Sequence, residues 1–344
     1  MPILECSWLV PPNLRGARSR AAGALTCLTA IRPTWHILRT TDPTEHHAPA
    51  SYVARVNRAI DHIMVDLTRP LRLEDIAAVA GFSAFHFHRI FKALTGETLS
   101  QFVKRQRLER ALYRMSHEPR RRLTEIALDC GFPSSSEFSR SFKQHYGSAP
   151  SSFDLQAYRT RRRQAFEQCT PPTAKSLKLR ALPPGSNPDG FEVNLRDLPA
   201  RTVAYLRVPD PYRGGVVQAA CERLLKWADA RGLADGQWLG YMWDEPEIVA
   251  LPQCRYDVAL VVDEMEADGE IGRFEFPPMR VAEVLIRGDI ALEVRALDWL
   301  YTDWLPRSGY VPDDQPCFES WIGRPFAHGH TYFELACQLP VRRG

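Results

Sequence analysis

The sequence predicts a protein of more than one domain, in which an all-α domain with two helix-turn-helix units precedes an α+β domain. In the first half, one motif occurs twice, beginning at Gly81 and at Gly131, and each copy follows an amphipathic stretch with helical spacing. In the second half, strand-like alternation surrounds two helical stretches, and this order also occurs twice. A chain of 344 residues is long enough for two or three domains.

The two copies of the first motif are GFSAFHFHRIFKALTG and GFPSSSEFSRSFKQHYG. A glycine at the start of each permits a sharp turn, because a residue without Cβ takes positive φ at no steric cost. Phe87 and Phe91, repeated as Phe138 and Phe142, have the spacing of a buried helix face. The opposite face of each second helix then points outward, as it does in helices that enter a DNA major groove.

A single helix is predicted between the two units, over residues 99–115. Its apolar side carries five residues: Phe102, Val103, Leu108, Leu112 and Met115. A stiff connector of this kind fixes the two outward helices relative to each other. At a separation of about 34 Å they would occupy successive major grooves on one side of DNA.

Charge divides the chain into two halves. Residues 50–166 hold 20 Lys and Arg against 11 Asp and Glu, whereas residues 190–344 hold 16 against 25. A basic half supplies the sequence-independent attraction to phosphate that DNA binding requires. The acidic half is therefore not expected to bind nucleic acid.

Residues 51–158 resemble the AraC/XylS family of transcription regulators. The resemblance includes both turns, the connector and the closing pattern Phe-Lys-x3-Gly-x2-Pro that runs from Phe142 to Pro150. It implies a tandem DNA-binding domain over about residues 50–160, with double-stranded DNA as partner. The base-reading positions that it implies here are Phe85, His88, Arg89, Ser135, Ser136, Ser139 and Arg140.

Arg89 and Arg140 are the candidates for guanine, since a planar guanidinium matches its N7 and O6 atoms. A phosphate contact or an intraprotein contact is the alternative for each. Helix capping is the alternative for the serines, and it is our expectation for Ser134. The first turn is one residue shorter than the second, because Gly81 to Phe91 spans ten steps and Gly131 to Phe142 spans eleven.

The segments outside these units have other compositions. Residues 1–48 show no clear period and are compatible with a disordered arm or an over-extended start, and residues 161–189, rich in arginine and then in proline, indicate a linker. Eight scattered cysteines without metal-ligand spacing predict buried thiols in a reducing cytoplasm. No apolar run approaches the roughly 20 residues of a membrane span. We expect no metal, no cofactor and no membrane partner.

The remaining half, residues 190–344, is predicted to contain two βαββ repeats in one antiparallel sheet with helices on one side. Helical spacing covers residues 216–231 and 290–305. Strands are expected on either side of each helix, including a pair that meets around Pro277 and Pro278. Aligning the repeats places WLGYMW over PCFESW and predicts a concave groove at the pseudo-twofold axis.

Residues 191–341 resemble the gyrase-inhibitor-like (GyrI-like) effector-binding domain, most specifically in WLPRSGY followed by a proline-rich turn and CFESW. The resemblance implies that Glu319 lies in an aromatic groove and meets a ligand. Strand alternation puts Glu319 and Trp321 on one face. Repeat symmetry predicts Tyr241 and Trp243 opposite them across the groove. A carboxylate among aromatic rings can pair with an organic cation whose apolar body stacks on the rings.

The leading hypothesis is a cytoplasmic transcription regulator that reads DNA with its first half and senses a small, lipophilic or cationic molecule with its second. Two alternatives remain. Glu319 could act on water in a small-molecule hydrolase, and the second half could bind a protein partner such as RNA polymerase. Sensing is favoured over hydrolysis because no second carboxylate converges on Glu319 in the sequence, and we predict no catalytic residue.

Overall fold

A computed structural model describes residues 50–169, 185–329 and 331–344. The predicted arm over residues 1–48 and most of the predicted linker lie outside the described residues. The helices of the first domain are α1 (Ala50–Val65), α2 (Leu73–Val79), α3 (Ala84–Thr95), α4 (Leu99–His117), α5 (Leu123–Asp129), α6 (Ser135–Tyr146) and α7 (Leu155–Cys169). Within the described ranges, no helix is long and apolar enough to cross a membrane.

The two predicted helix-turn-helix units are present as α2–α3 and α5–α6, joined by α4. Gly81 (φ +66°) and Gly131 (φ +85°) take the left-handed conformation in their turns. The repeated phenylalanines of α3 and α6 are at most 1% exposed. The extra residue of the second unit lies in the turn itself, because α3 begins three residues after Gly81 and α6 begins four residues after Gly131.

Helix α7 begins before the predicted linker and includes its first nine residues, 161–169. The interpretation of these residues as linker was therefore wrong. Phe166 is 5% exposed and packs on Tyr212 at 5.4 Å between ring centroids, and Arg163 pairs with carboxylates of the second domain. An arginine-rich segment of good helix formers becomes a docked helix when carboxylates are available to it.

The second domain is one antiparallel sheet with helices on one side, as predicted. Its strands follow the order β1-β6-β9-β8-β3-β4-β2-β5, and β7 pairs with β9. The strand bounds are β1 (Asn194–Leu198), β2 (Arg201–Pro209), β3 (Trp238–Met242), β4 (Arg255–Val262), β5 (Gly272–Phe276), β6 (Met279–Gly288), β7 (Tyr310–Pro312), β8 (Cys317–Trp321) and β9 (Phe333–Arg343). The helices are α8 (Val216–Asp229), α9 (Ile290–Trp299), a π-helical turn (Leu300–Trp304) and α10 (Leu305–Ser308).

The predicted pairing around Pro277 and Pro278 was wrong. β5 pairs with β2, and β6 pairs with β1 and β9. Two consecutive prolines cannot supply the positive φ of a two-residue hairpin turn, so the chain crosses from one strand to a distant one. The first strand of each repeat therefore pairs with the second strand of the other repeat, as β1 does with β6 and β5 does with β2. The pseudo-twofold axis passes between β3 and β8.

The first domain is docked on the second through buried polar contacts. Asp61 of α1 accepts hydrogen bonds from Tyr205 and from Arg207, whose Nη2 lies 2.8 Å from the carboxylate. The Arg207 side chain is 5% exposed and also pairs with Asp257 of β4. Gln106 of α4 accepts a hydrogen bond from Arg255. These contacts join the two domains through side chains that are largely shielded from solvent.

Candidate functional site

The predicted base-reading side chains lie on the outer faces of α3 and α6. Phe85 is 74% exposed, and His88 and Arg89 are exposed beside it. The Arg140 side chain is 76% exposed and pairs with Glu137 at 2.8 Å. Such a surface pair contributes little to stability, so it leaves the guanidinium available for another partner.

The serines of the second unit divide into two roles. Ser134 caps α6, because its hydroxyl accepts a hydrogen bond from the Glu137 backbone N–H at 3.2 Å. This confirms the capping prediction. Ser136 is exposed at the start of α6, whereas Ser135 and Ser139 are half-buried. Base contact by these three serines stays a prediction.

Glu319 lies on β8, on the sheet face that α8 and α9 cover. Its Oε2 accepts a hydrogen bond from the Tyr256 hydroxyl at 2.6 Å. Burial, and after it repulsion from the neighbouring Glu293 carboxyl, raises the pKa of Glu319 to about 8. The protonated form of Glu319 is therefore favoured near neutral pH, and a positive charge placed beside it would favour the ionised form.

Glu293 is a buried carboxyl beside Glu319 that sequence reasoning missed. It lies on α9, is 2% exposed, and hydrogen-bonds with Glu319. The expectation that no second carboxylate converges on Glu319 was therefore wrong. A signal was present in the sequence, since Glu293 shares the helical stripe of Ala296 and Leu300, at i+3 and i+7, where an apolar residue is expected.

The predicted position of Tyr241 opposite Glu319 was also wrong. Glu319 pairs with Gly240, and Tyr241 pairs with Phe318, so Tyr241 faces the other side of the sheet. There it is fully buried beside Phe276 and Phe318. The Trp243 ring lies on the same face, 5.8 Å from the Tyr241 ring, so its predicted position across the groove from Trp321 was wrong as well. The repeat alignment that placed Tyr241 over Glu319 was out by one residue, and a one-residue shift reverses the face of every side chain in a strand.

A cavity of about 480 Å³ opens at the end of β3 and β8, between the two domains. Glu319 and Trp243 both line it, and the Trp243 Nε1 donates a hydrogen bond to Asp257 at 2.7 Å. Trp321 does not line this cavity. It lies in a narrow groove between α8 and α9, which Glu319 also lines from the other side. Glu319 is thus at the junction of the groove and the cavity.

The cavity combines an acidic wall with an apolar one. Its apolar part includes Met64, Phe166, Met242, Val294 and Leu297. Eight carboxylates and three guanidinium groups line it, the carboxylates being Glu109, Asp244, Glu245, Glu247, Asp298, Asp313, Asp314 and Glu319.

Three arginines directly behind the wall pair with some of these carboxylates, namely Arg105 with Glu109, Arg114 with Asp314 and Arg255 with Asp244. Eight carboxylates therefore face six guanidinium groups in and behind the wall. Because burial raises the pKa of Glu319 to about 8 and the pKa of Glu109 to about 7, the full excess of negative charge is present only when both carboxyls have ionised, and it then favours an organic cation with an apolar body over an anion.

Among the described residues, no group of three or more His, Cys, Asp or Glu side chains is placed to hold a metal ion. The thiols of Cys130, Cys221, Cys254, Cys317 and Cys337 are free.

Two family models match separate parts of the chain. A helix-turn-helix domain matches residues 76–156, and a GyrI-like small molecule binding domain matches residues 191–342. The first match begins within α2 and continues past α6, and the second extends from before β1 to the penultimate residue of β9.

Each of three curated relatives matches less than half of the chain. A DNA gyrase inhibitor of Edwardsiella piscicida is 34% identical over 164 residues, which cover 44% of this chain and 99% of the relative. The uncharacterized HTH-type transcriptional regulator YbfP of Bacillus subtilis is 29% identical over 146 residues, 42% of this chain and 47% of the relative. The probable transcription factor PqrA of Proteus vulgaris is 36% identical over 83 residues, 24% of this chain and 67% of the relative.

Proposed function

Because the chain belongs to the AraC-type DNA-binding transcription regulators and carries a C-terminal GyrI-like small-molecule-binding domain, we propose that it is a cytoplasmic regulator that responds to lipophilic organic cations. The observation that carries the proposal is Glu319, a partly buried carboxyl at the junction of the groove and the acidic cavity. Family membership favours sensing over hydrolysis.

Duplex DNA is bound by the outer faces of α3 and α6. Phe85, Arg89 and Arg140 present exposed side chains there, within a domain that is strongly basic overall. Arginine positioned in a major groove reads guanine through two hydrogen bonds. In our proposal each reading helix occupies one half-site, and RNA polymerase is a further partner at the promoter.

The ligand end of the proposal rests on charge and on shape. A cation that enters the cavity meets the carboxylates, and its apolar body packs on the apolar side chains of Phe166, Met242 and Leu297. Loss of the Glu319 proton then leaves a carboxylate beside the bound cation. A charge-assisted contact of this kind contributes about 1.5 to 3 kcal/mol.

The test uses tetraphenylphosphonium, a monovalent lipophilic cation, with neutral triphenylphosphine oxide as the comparison ligand. We expect calorimetry at pH 8.5 to show binding of the cation to the full chain. Glu319→Gln, which keeps the shape and removes the charge, should weaken that binding by about 10- to 100-fold. Glu275→Gln, whose carboxylate is 63% exposed on β5, is the matched control and should not change it.

Two outcomes would contradict the proposal. Equal affinity for the cation and the neutral compound would show that the acidic wall plays no part. Unchanged cation affinity in Glu319→Gln would make Glu319 an ordinary structural carboxyl. Turnover of a bound ester or amide by the wild-type chain, lost in Glu319→Gln, would instead support the hydrolase alternative.

A further inference from the structure

The wall of the cavity opposite Glu319 is made by the DNA-binding domain. Helix α4 contributes Gln106, Glu109, Arg110 and Tyr113, and helix α7 contributes Gln156, Arg159, Thr160, Arg163 and Phe166. The second domain supplies the β3–β4 connection, α9 with its π-helical turn, and the start of β8. The cavity is therefore closed only when the two domains are docked.

Two arginines of α7 hold the domains together at this cavity. Arg159 Nε lies 2.8 Å from Glu247 Oε2, and Arg159 Nη2 lies 3.1 Å from Glu245 Oε1. Arg163 Nη1 lies 3.1 Å from Glu247 Oε1, and Arg163 also pairs with Asp298 of α9. The side chains of these five residues are between 17% and 22% exposed, so the pairs are shielded from solvent.

The same helix is packed against the support of the second reading helix. The Tyr146 ring, at the end of α6, lies 5.7 Å from the Tyr158 ring of α7, and Phe142 lies 5.2 Å from Phe153. The Tyr158 hydroxyl donates to the backbone oxygen of Ile248, on the far side of the cavity mouth, at 2.9 Å. Helix α7 thus touches the reading unit, the cavity and the second domain together.

We propose that the organic cation is held between the two domains, with α4 and α7 forming one wall of its site and the strand that carries Glu319 forming the other. This proposal rests on the proposed function, because it assigns the DNA-binding domain a direct share in the same ligand site. Arginines of α7 and the ligand then face the same carboxylates, Glu245, Glu247 and Asp298. The second domain alone presents only one side of this site.

The experiment places a bulky side chain at the rim of the cavity on the DNA-binding side. Thr160 lines the exposed rim of the cavity on α7 and is in none of the interdomain ion pairs, so Thr160→Trp narrows the entrance without removing an ion pair. Gln164→Trp, one turn later on the same helix and outside the cavity, is the matched control. Calorimetry with tetraphenylphosphonium on the full chains should show at least a 10-fold loss of affinity for Thr160→Trp and less than a 2-fold change for Gln164→Trp.

A second variant covers the case in which Thr160→Trp fails to fold. Gln156→Trp enters the cavity from the preceding turn of α7 and should cause a similar loss. Circular dichroism of each variant confirms that the helices are retained.

The results separate this proposal from the proposed function. If Glu319→Gln weakens binding while every folded α7 variant binds as the wild type does, the ligand lies within the second domain alone and the shared site is overturned. If the wild-type chain binds no tetraphenylphosphonium, both are overturned for this class of cation. Loss in Thr160→Trp or Gln156→Trp, with binding kept in Gln164→Trp, supports the shared site.

Discussion

Gly131 offers the sharpest test of how the second reading unit is held. It takes φ +85°, and a Cβ at this position would lie 2.3 Å from the carbonyl oxygen of Leu67 and 2.9 Å from the Thr68 Cα. Arg107 Nε donates to the same Leu67 oxygen at 2.9 Å. The turn between α5 and α6 therefore rests directly on the loop that follows α1. Gly131→Ala must open this contact.

The expected cost has two parts. A left-handed conformation costs a residue with Cβ about 1 to 2 kcal/mol. Moving the turn away from Leu67 also disturbs the hydrogen bond from Arg107, and a buried polar group left without its partner costs about 1 to 3 kcal/mol. Gly147 is the matched control, since its φ is +86° and a Cβ added there would meet nothing within 4 Å. Gly147→Ala should show only the first cost.

Urea unfolding of the full-length variants, followed by far-ultraviolet circular dichroism, measures the difference. We expect Gly131→Ala to be less stable than Gly147→Ala by about 1 to 3 kcal/mol. Footprinting should show protection of the second half-site weakened in Gly131→Ala and retained in Gly147→Ala. Equal destabilisation of the two variants would refute the reasoning, because the close contact with Leu67 would then make no difference to the free energy of unfolding.

Two further predictions concern the reading helix and the ligand site. Arg140→Ala should cost about 1 to 3 kcal/mol in DNA affinity and relax specificity at one base position. Arg213→Ala, at an exposed position of the acidic domain, is the control. An equal loss of affinity for all DNA sequences in a binding assay would make Arg140 a phosphate contact. The pKa of Glu319 is raised from 4.5 to about 8, so the stability that its protonated form contributes is present at low pH and is lost as the pH rises to 8. The affinity for a cation should increase over the same range, because the carboxyl ionises. Urea midpoints and calorimetry across this pH range should show both trends in the wild type, and a Glu319→Gln variant with the same pH dependence would exclude Glu319 as the titrating group.

Some of the acidic residues of the second domain form ion pairs with the first domain, in addition to lining the proposed ligand site. Arginines of α7 find their partners in Glu245, Glu247 and Asp298, and α1 of the first domain supplies Asp61 to Arg207. Complementary charge therefore holds the domains together while the outer faces of α3 and α6 remain exposed. The arrangement leaves the DNA-reading surface open in the docked protein.

The sequence by itself determined the elements whose signals are local. Both helix-turn-helix units follow from glycine at the turn and phenylalanine at helical spacing. Alternation with a period of two over residues 255–262 and 317–321 predicts two strands, and β4 and β8 have these bounds. The position of Glu319 and Trp321 on one face follows from the same period. These features need only neighbouring residues, so a single chain shows them plainly.

Only the tertiary structure decided which distant elements meet. The pairings of β1 with β6 and of β2 with β5 depend on closing long loops, and no local pattern specifies them. Tyr241 was placed on the wrong face because a register shift of one residue is invisible in an approximate repeat. Glu293 reaches Glu319, and α7 reaches the cavity, through packing between helices and sheet that joins residues far apart in the chain. Such contacts form when the apolar faces of whole helices and strands are buried against each other. Sequence periodicity predicts which face of an element is apolar, but it does not predict which other element covers that face.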